Sequence, residues 1–166
     1  MIIDQLERIA GTLLKAARTV VPILLRLWIG YAFFKSGLGK LKHLDDVTQF
    51  FESIHIPLPG LNAHFIAALE FTGGLMLIAG AVTRVFSFLL SCTMVVAILS
   101  AEWDNLMEAL TPGGDKNLVE IVPFVYLMVL LAILAFGPGL LSVDPLLSKK
   151  LPQRIRALLG IDPSEV

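Results

Sequence analysis

The sequence predicts an all-α integral membrane protein: a four-helix bundle with an N-terminal interfacial amphipathic helix and a basic C-terminal tail. Three observations predict it. Hydrophobic residues make up 56% of the 166 residues and charged residues only 16%, with a mean hydropathy of +0.80. A soluble domain of this size needs more polar surface than that. Four apolar segments approach the roughly 20 residues that a bilayer-crossing helix requires. The basic residues between those segments sort to one side. A net charge of −1 provides no basic face for nucleic acid. Cys92 is the single cysteine, so no intramolecular disulfide forms, and no cysteine–histidine spacing suggests zinc. No metal site is expected. Asp4, Glu7 and the lack of a small-residue cleavage site before the first apolar run argue against a signal peptide.

The elements follow in order. Residues 1–18 carry Ile2, Ile3, Leu6, Ile9, Leu13 and Leu14 at helical spacing, with Asp4, Glu7, Arg8 and Lys15 on other faces. That pattern fits a helix lying in the membrane interface. The four spans are expected at Thr19–Leu38, Asn62–Val82, Val85–Leu99 (running on toward Trp103) and Leu118–Phe136, within a membrane domain at 19–145. The third looks short, and only a tight turn around Thr83-Arg84 joins it to the second. Residues 146–166 form the basic tail, with Lys149, Lys150, Arg154 and Arg156 available to anionic lipid. With both termini on one side, that side holds eight basic residues and the other holds three. The positive-inside rule then places both termini in the cytoplasm.

Charges inside the spans need a reason. In the first span Arg26, Gly30, Phe33, Gly37 and Lys40 fall on one helical stripe. In the second, Glu70, Gly73, Leu77, Gly80 and Arg84 do the same, and Gly74 widens the stripe. Small residues let two helix backbones approach closely in lipid, so Gly30, Gly37, Gly73, Gly74 and Gly80 are expected at a packing seam between these helices. An unpaired charge at depth costs several kcal/mol, and Arg26 lies about 10 Å from one face of the bilayer and Glu70 about 12 Å from the other. Arg26–Glu70 is the expected pair. Glu120, near Asn117 and Pro123 at the start of the fourth span, is placed to meet Lys40. Lys35 falls half a turn from Arg26 and reads as a snorkelling residue. Cys92 reads as a buried small hydrophobe. His55 and His64 read as loop residues in preference to ligands.

Arg26, the run Gly30-Phe33-Gly37-Lys40, the stretch Glu70-Phe71-Thr72-Gly73-Gly74, Gly80 with Thr83-Arg84, and "GPGLLSVD" from Gly137 to Asp144 together resemble the DoxX family of small four-helix membrane proteins. The resemblance runs from about Arg26 to Asp144. It implies a bacterial or archaeal inner-membrane protein. Relatives in that family include a subunit associated with a thiosulfate:quinone oxidoreductase, and others are linked to complexes that handle thiol and oxidative stress. A role as an oxidoreductase subunit, a quinone and a redox partner enzyme are therefore implied by resemblance. The residues themselves show no electron-transfer group and no cysteine pair.

Two readings stand side by side. In one, Arg26, Lys40, Glu70 and Glu120 line a polar site that binds a quinone or another small amphipathic molecule, with no catalytic residue assigned. In the other, the same charges lock the bundle, and the protein is a non-catalytic membrane scaffold that anchors a partner enzyme. A third, a small transporter, would need a homo-oligomer to enclose a pore. All place the chain in the lipid bilayer.

Overall fold

The computed structural model describes residues 2–137. Its elements are α1 (Ile2–Lys42), α2 (Leu44–Ser53), α3 (Pro59–Ala79), α4 (Thr83–Ala101), α5 (Trp103–Leu110), a single 3-10 turn at Leu118–Glu120 and α6 (Val122–Phe136), with no strand among the described residues. The basic tail at 146–166 and the "GPGLLSVD" run beyond Gly137 lie outside the described residues.

The chain is an all-α membrane bundle. Three helices are long and apolar enough to cross a bilayer, over Val20–Lys42, Pro59–Ala79 and Thr83–Ala101, and Val122–Phe136 is a shorter apolar helix. Residues 2–18, expected as an interfacial helix, run into the first span without a helical break, and Pro22 sits inside α1. Of the later spans, the third is the full-length one and the fourth is short. Sequence reading shortens the third because it gives Thr83-Arg84 to the turn and ends the apolar run at Leu99, whereas the helix runs from Thr83 to Ala101 with Ser91 and Thr93 on it. In the helix the Ser91 hydroxyl donates back to the Ser87 carbonyl at 2.7 Å, and Thr93 donates to the Leu90 carbonyl at 2.8 Å. Satisfied this way, small hydroxyls cost little at membrane depth. The fourth begins late because Glu120 closes a 3-10 turn and Pro123 then starts the helix, where its missing N–H is no loss.

α1 packs along α3 and α4 along α6, while a tight turn joins α3 to α4 and α6 also touches α1. The common core is built from one face of each helix: Ile29 and Phe33 of α1, Leu77 of α3, Leu90 and Met94 of α4, Leu130 and Ile133 of α6. The other faces are apolar and exposed, as at Leu24, Leu75, Phe88, Val96, Leu99 and Leu131, which is the surface a bilayer covers. Cys92 is on that exposed side, contrary to the expected buried position, because the core face of α4 runs through Ser87, Leu90, Ser91 and Met94.

Sequence reading misses the two short helices α2 and α5. Both are strongly amphipathic and carry acids in the first turn, Asp45 and Asp46 in α2 and Asp104 in α5. Phe51 of α2 is buried, and α2 lies against α3.

The turn from α3 to α4 is a Schellman motif. The Gly80 N–H donates to the Leu77 carbonyl and the Ala81 N–H to the Met76 carbonyl, with Gly80 left-handed at φ 69°. Gly80 therefore serves the turn. Gly80→Ala is expected to cost about 1 kcal/mol, because a Cβ is penalised in the left-handed region. Thermal unfolding of the purified protein in detergent checks this, and an unchanged midpoint would mean that the turn relaxes freely.

Candidate functional site

The site begins with glycine. A Cβ on Gly37 would lie 2.7 Å from the Phe71 Cα and 2.8 Å from the Glu70 carbonyl carbon. One on Gly74 would lie 2.6 Å from the Gly30 oxygen and 2.8 Å from the Phe34 Cα, and one on Gly30 would lie 3.0 Å from the Gly74 oxygen. These three residues make α1 and α3 touch backbone to backbone. Gly73 turns instead toward α4, where Leu90 and Phe86 meet it.

This seam fixes the register, and the register chooses the ion pair. Gly37 sits at Glu70, so Ser36 and Lys40 lie beside the carboxylate. Lys40 is one turn beyond Gly37, and helical side chains lean toward the N-terminus, which carries its ammonium back to Glu70. Lys40 Nζ donates to Glu70 Oε1 at 2.5 Å. Ser36 Oγ donates to Glu70 Oε2 at 2.8 Å. Both carboxylate oxygens are engaged. The Glu70 side chain is 2% exposed and that of Lys40 29%.

Arg26 is not the partner of Glu70 in this register. It precedes Gly37 by eleven residues, about 16 Å along α1, beyond the combined reach of the two side chains. It is buried at 3% exposure at the other end of the bundle, where it has its own interactions. The expected height match fails because it is counted from assumed helix ends. α1 continues to Lys42 while α3 begins at Pro59, and the glycine contacts set a different alignment.

Glu120 does not reach Lys40 either. It is exposed, and its Oε1 accepts from Asn117 Nδ2 at 3.0 Å. That hydrogen bond, a second from the Asn117 backbone and the nearby Lys116 charge hold its carboxyl below the usual glutamate range. His64 Nδ1 lies 2.7 Å from the Gly60 carbonyl on the exposed side of α3, and His55 is left-handed at φ 60° in the α2–α3 loop.

Beside the buried pair an open groove of about 560 Å³ runs between α1 and α6, lined by Trp28, Tyr31, Ala32, Lys35, Ser36, Gly39, Lys40 and Tyr126. Tyr126 forms its α6 wall. Its ring meets Trp28 edge-on at 5.9 Å and Phe33 at 5.4 Å between centroids. From Trp28 to Lys40 the groove follows α1 for about 18 Å. Lys40 thus has two faces, one on Glu70 and one on the groove. Lys35, a snorkelling residue by its sequence position, lines the same groove. Sequence reasoning also misses Ser36 and the aromatic wall. The spacing of four between Ser36 and Lys40 is a usable signal, whereas nothing in one sequence indicates that Tyr126 packs on Trp28.

The DoxX family model matches residues 21–103. A Bacillus subtilis protein named "Putative oxidoreductase CatD" is 34% identical over 129 residues, covering 76% of this chain and 87% of its own. The "Inner membrane protein YqjF" of Escherichia coli is 31% identical over 142 residues, 81% of this chain and 91% of its own. The "Inner membrane protein YphA" of the same organism is 28% identical over 131 residues, with 78% and 91% coverage. No solved structure matches. The matched stretch contains the α1–α3 seam, the Lys40–Glu70 pair and the α1 wall of the groove, and the chain belongs to the DoxX family.

Proposed function

We propose that this chain is the inner-membrane subunit of a redox-associated complex. It binds a quinone, or a similarly small amphipathic molecule, in the α1–α6 groove. The observation that carries the reading is Lys40, an ammonium anchored by a buried carboxylate and at the same time forming the polar end of an aromatic groove. The volume falls in the range of small-ligand sites, about 300–1,000 Å³. The residues fit such a head: Lys40 offers a donor for a carbonyl oxygen, and Trp28, Tyr31 and Tyr126 offer flat apolar faces. A bound quinone would supply the capacity to accept two electrons with two protons, the electrons coming from the partner enzyme. Glu70 and Ser36 hold the Lys40 ammonium in place and keep its charge compensated. The redox association draws support from the Bacillus subtilis relative's name. Both termini face the cytoplasm in this reading, which puts the lysine end of the groove in the outer leaflet.

Binding is tested by titrating the purified protein with a short-chain quinone and following quenching of Trp28, in a Trp103→Phe background. Glu70→Gln is expected to weaken binding about tenfold, by releasing Lys40 from its position. A protein that neither co-purifies with quinone nor binds it, and whose behaviour Glu70→Gln leaves unaltered, would sink the reading. The scaffold reading keeps one supporting observation, the full engagement of Glu70 by Ser36 and Lys40, since a saturated pair can serve packing alone.

A further inference from the structure

We infer that the groove selects an amphipathic molecule with an anionic head, a carboxylate or phosphate, which enters sideways from the bilayer. This rests on the proposed ligand groove and, of the two ligand classes proposed for it, takes the small amphipathic molecule in preference to the neutral quinone. Two ammonium groups, Lys35 and Lys40, and no acidic residue line the groove. Glu70 lies behind Lys40 and compensates that one charge. Lys35 has no ion pair among the described residues. The lysine end of the groove therefore carries an uncompensated positive charge.

Hydrogen-bonding capacity agrees. The Ser36 hydroxyl gives its single hydrogen to Glu70, so the donors left along the groove are the Lys35 and Lys40 ammoniums, which have no acceptor capacity, together with the Tyr31 and Tyr126 hydroxyls and the Trp28 indole N–H. A head that only accepts, with negative charge, complements them. Away from the lysines the walls are Trp28, Tyr31, Ala32 and Tyr126, the surface a hydrocarbon chain would cover. Tyr31 and Trp28 are well exposed on the lipid side of α1, so the groove opens toward the acyl chains.

The test uses the full chain in neutral maltoside micelles with the Trp103→Phe background, so that Trp28 is the single tryptophan. The probes are a terminally brominated dodecanoate, ionised at mildly alkaline pH, and its uncharged methyl ester. Bromine quenches a tryptophan only on close approach. The acid is expected to bind about tenfold more tightly than the ester, a factor that a hydrogen bond to a charged group supplies. Lys35→Gln is expected to reduce that ratio to about threefold or less, as a lysine on a lipid-facing groove can lose its charge without disturbing the core. Competition by phosphatidylglycerol but not phosphatidylcholine would assign the head to the bilayer's own acidic lipid, and failure of both to compete would assign it to a single-chain acid. Equal binding of acid and ester, or a ratio unchanged in the Lys35 variant, overturns the inference. If a neutral quinone still quenches Trp28 in that event, the groove stands and only the anionic head is lost; if no probe quenches, the groove reading falls with it.

Discussion

Gly37→Ala is expected to destabilise the protein by about 2–3 kcal/mol, the upper range for overpacking, while Gly39→Ala is expected to leave stability unchanged or raise it. The two positions are two residues apart in the same helix, so intrinsic propensity treats them alike. By propensity alone, alanine in a helix is better than glycine by roughly 0.5–1 kcal/mol. They differ in surroundings. A Cβ at Gly37 would fall on the backbone of Glu70 and Phe71, and a Cβ at Gly39 would meet nothing within 4 Å. Backbone cannot swing aside as a flexible side chain can. The helices would have to separate, and Ser36 and Lys40 would move off Glu70 with them. Unfolding of both variants in a mixed-micelle denaturant titration, followed by circular dichroism, measures the difference. Equal stability of the two would mean that α1 and α3 do not meet at this register.

The ion pair gives the second large effect. Lys40→Met leaves a carboxylate that is 2% exposed without its countercharge, and breaking such a pair costs about 3 kcal/mol, toward the low end because Lys40 is partly exposed. Adding Glu70→Met removes the stranded charge. The double variant is expected to recover half or more of the loss, a non-additivity that two independent sites would not show. The same pair of variants separates the two functional readings. A double variant that is folded yet binds no quinone supports a ligand site. One that is folded and still binds quinone as the wild type does leaves the pair a structural role.

The membrane class, the apolar helices and the glycine stripe of α1 are legible in the sequence, because apolar length and helical spacing are local properties. Of the glycines expected on the α3 stripe only Gly74 reaches the seam, with Gly73 facing α4 and Gly80 in the turn. The glycines also point to the helices that meet. The height of one helix against the other is not legible. It depends on which glycine backs onto which peptide, and one sequence offers several stripes that match equally well. That single unknown exchanges Arg26 for Lys40 as the partner of Glu70. Lys35 is exposed, as a snorkelling residue is, but its angle is measured from Arg26 and so hides its place on the groove, which lies on the side of α1 that α6 approaches. Cys92 reads as buried on chemical type alone, although the spacing of Ser87, Leu90, Ser91 and Met94 defines a core face that excludes it. Small hydroxyls on a helix can mark its buried side as surely as leucines do.

The glycine seam has a mechanical consequence. Where α1 and α3 touch through main chain, no rotamer can change to widen or close the gap, so these two helices move as one stave. The contacts between Trp28, Phe33 and Tyr126 are of another kind, rings meeting at their edges, and a ring can turn about its own bonds. The line where α6 meets α1 is thus more compliant than the α1–α3 seam. That line is also the groove, so the groove follows a softer joint than the glycine seam.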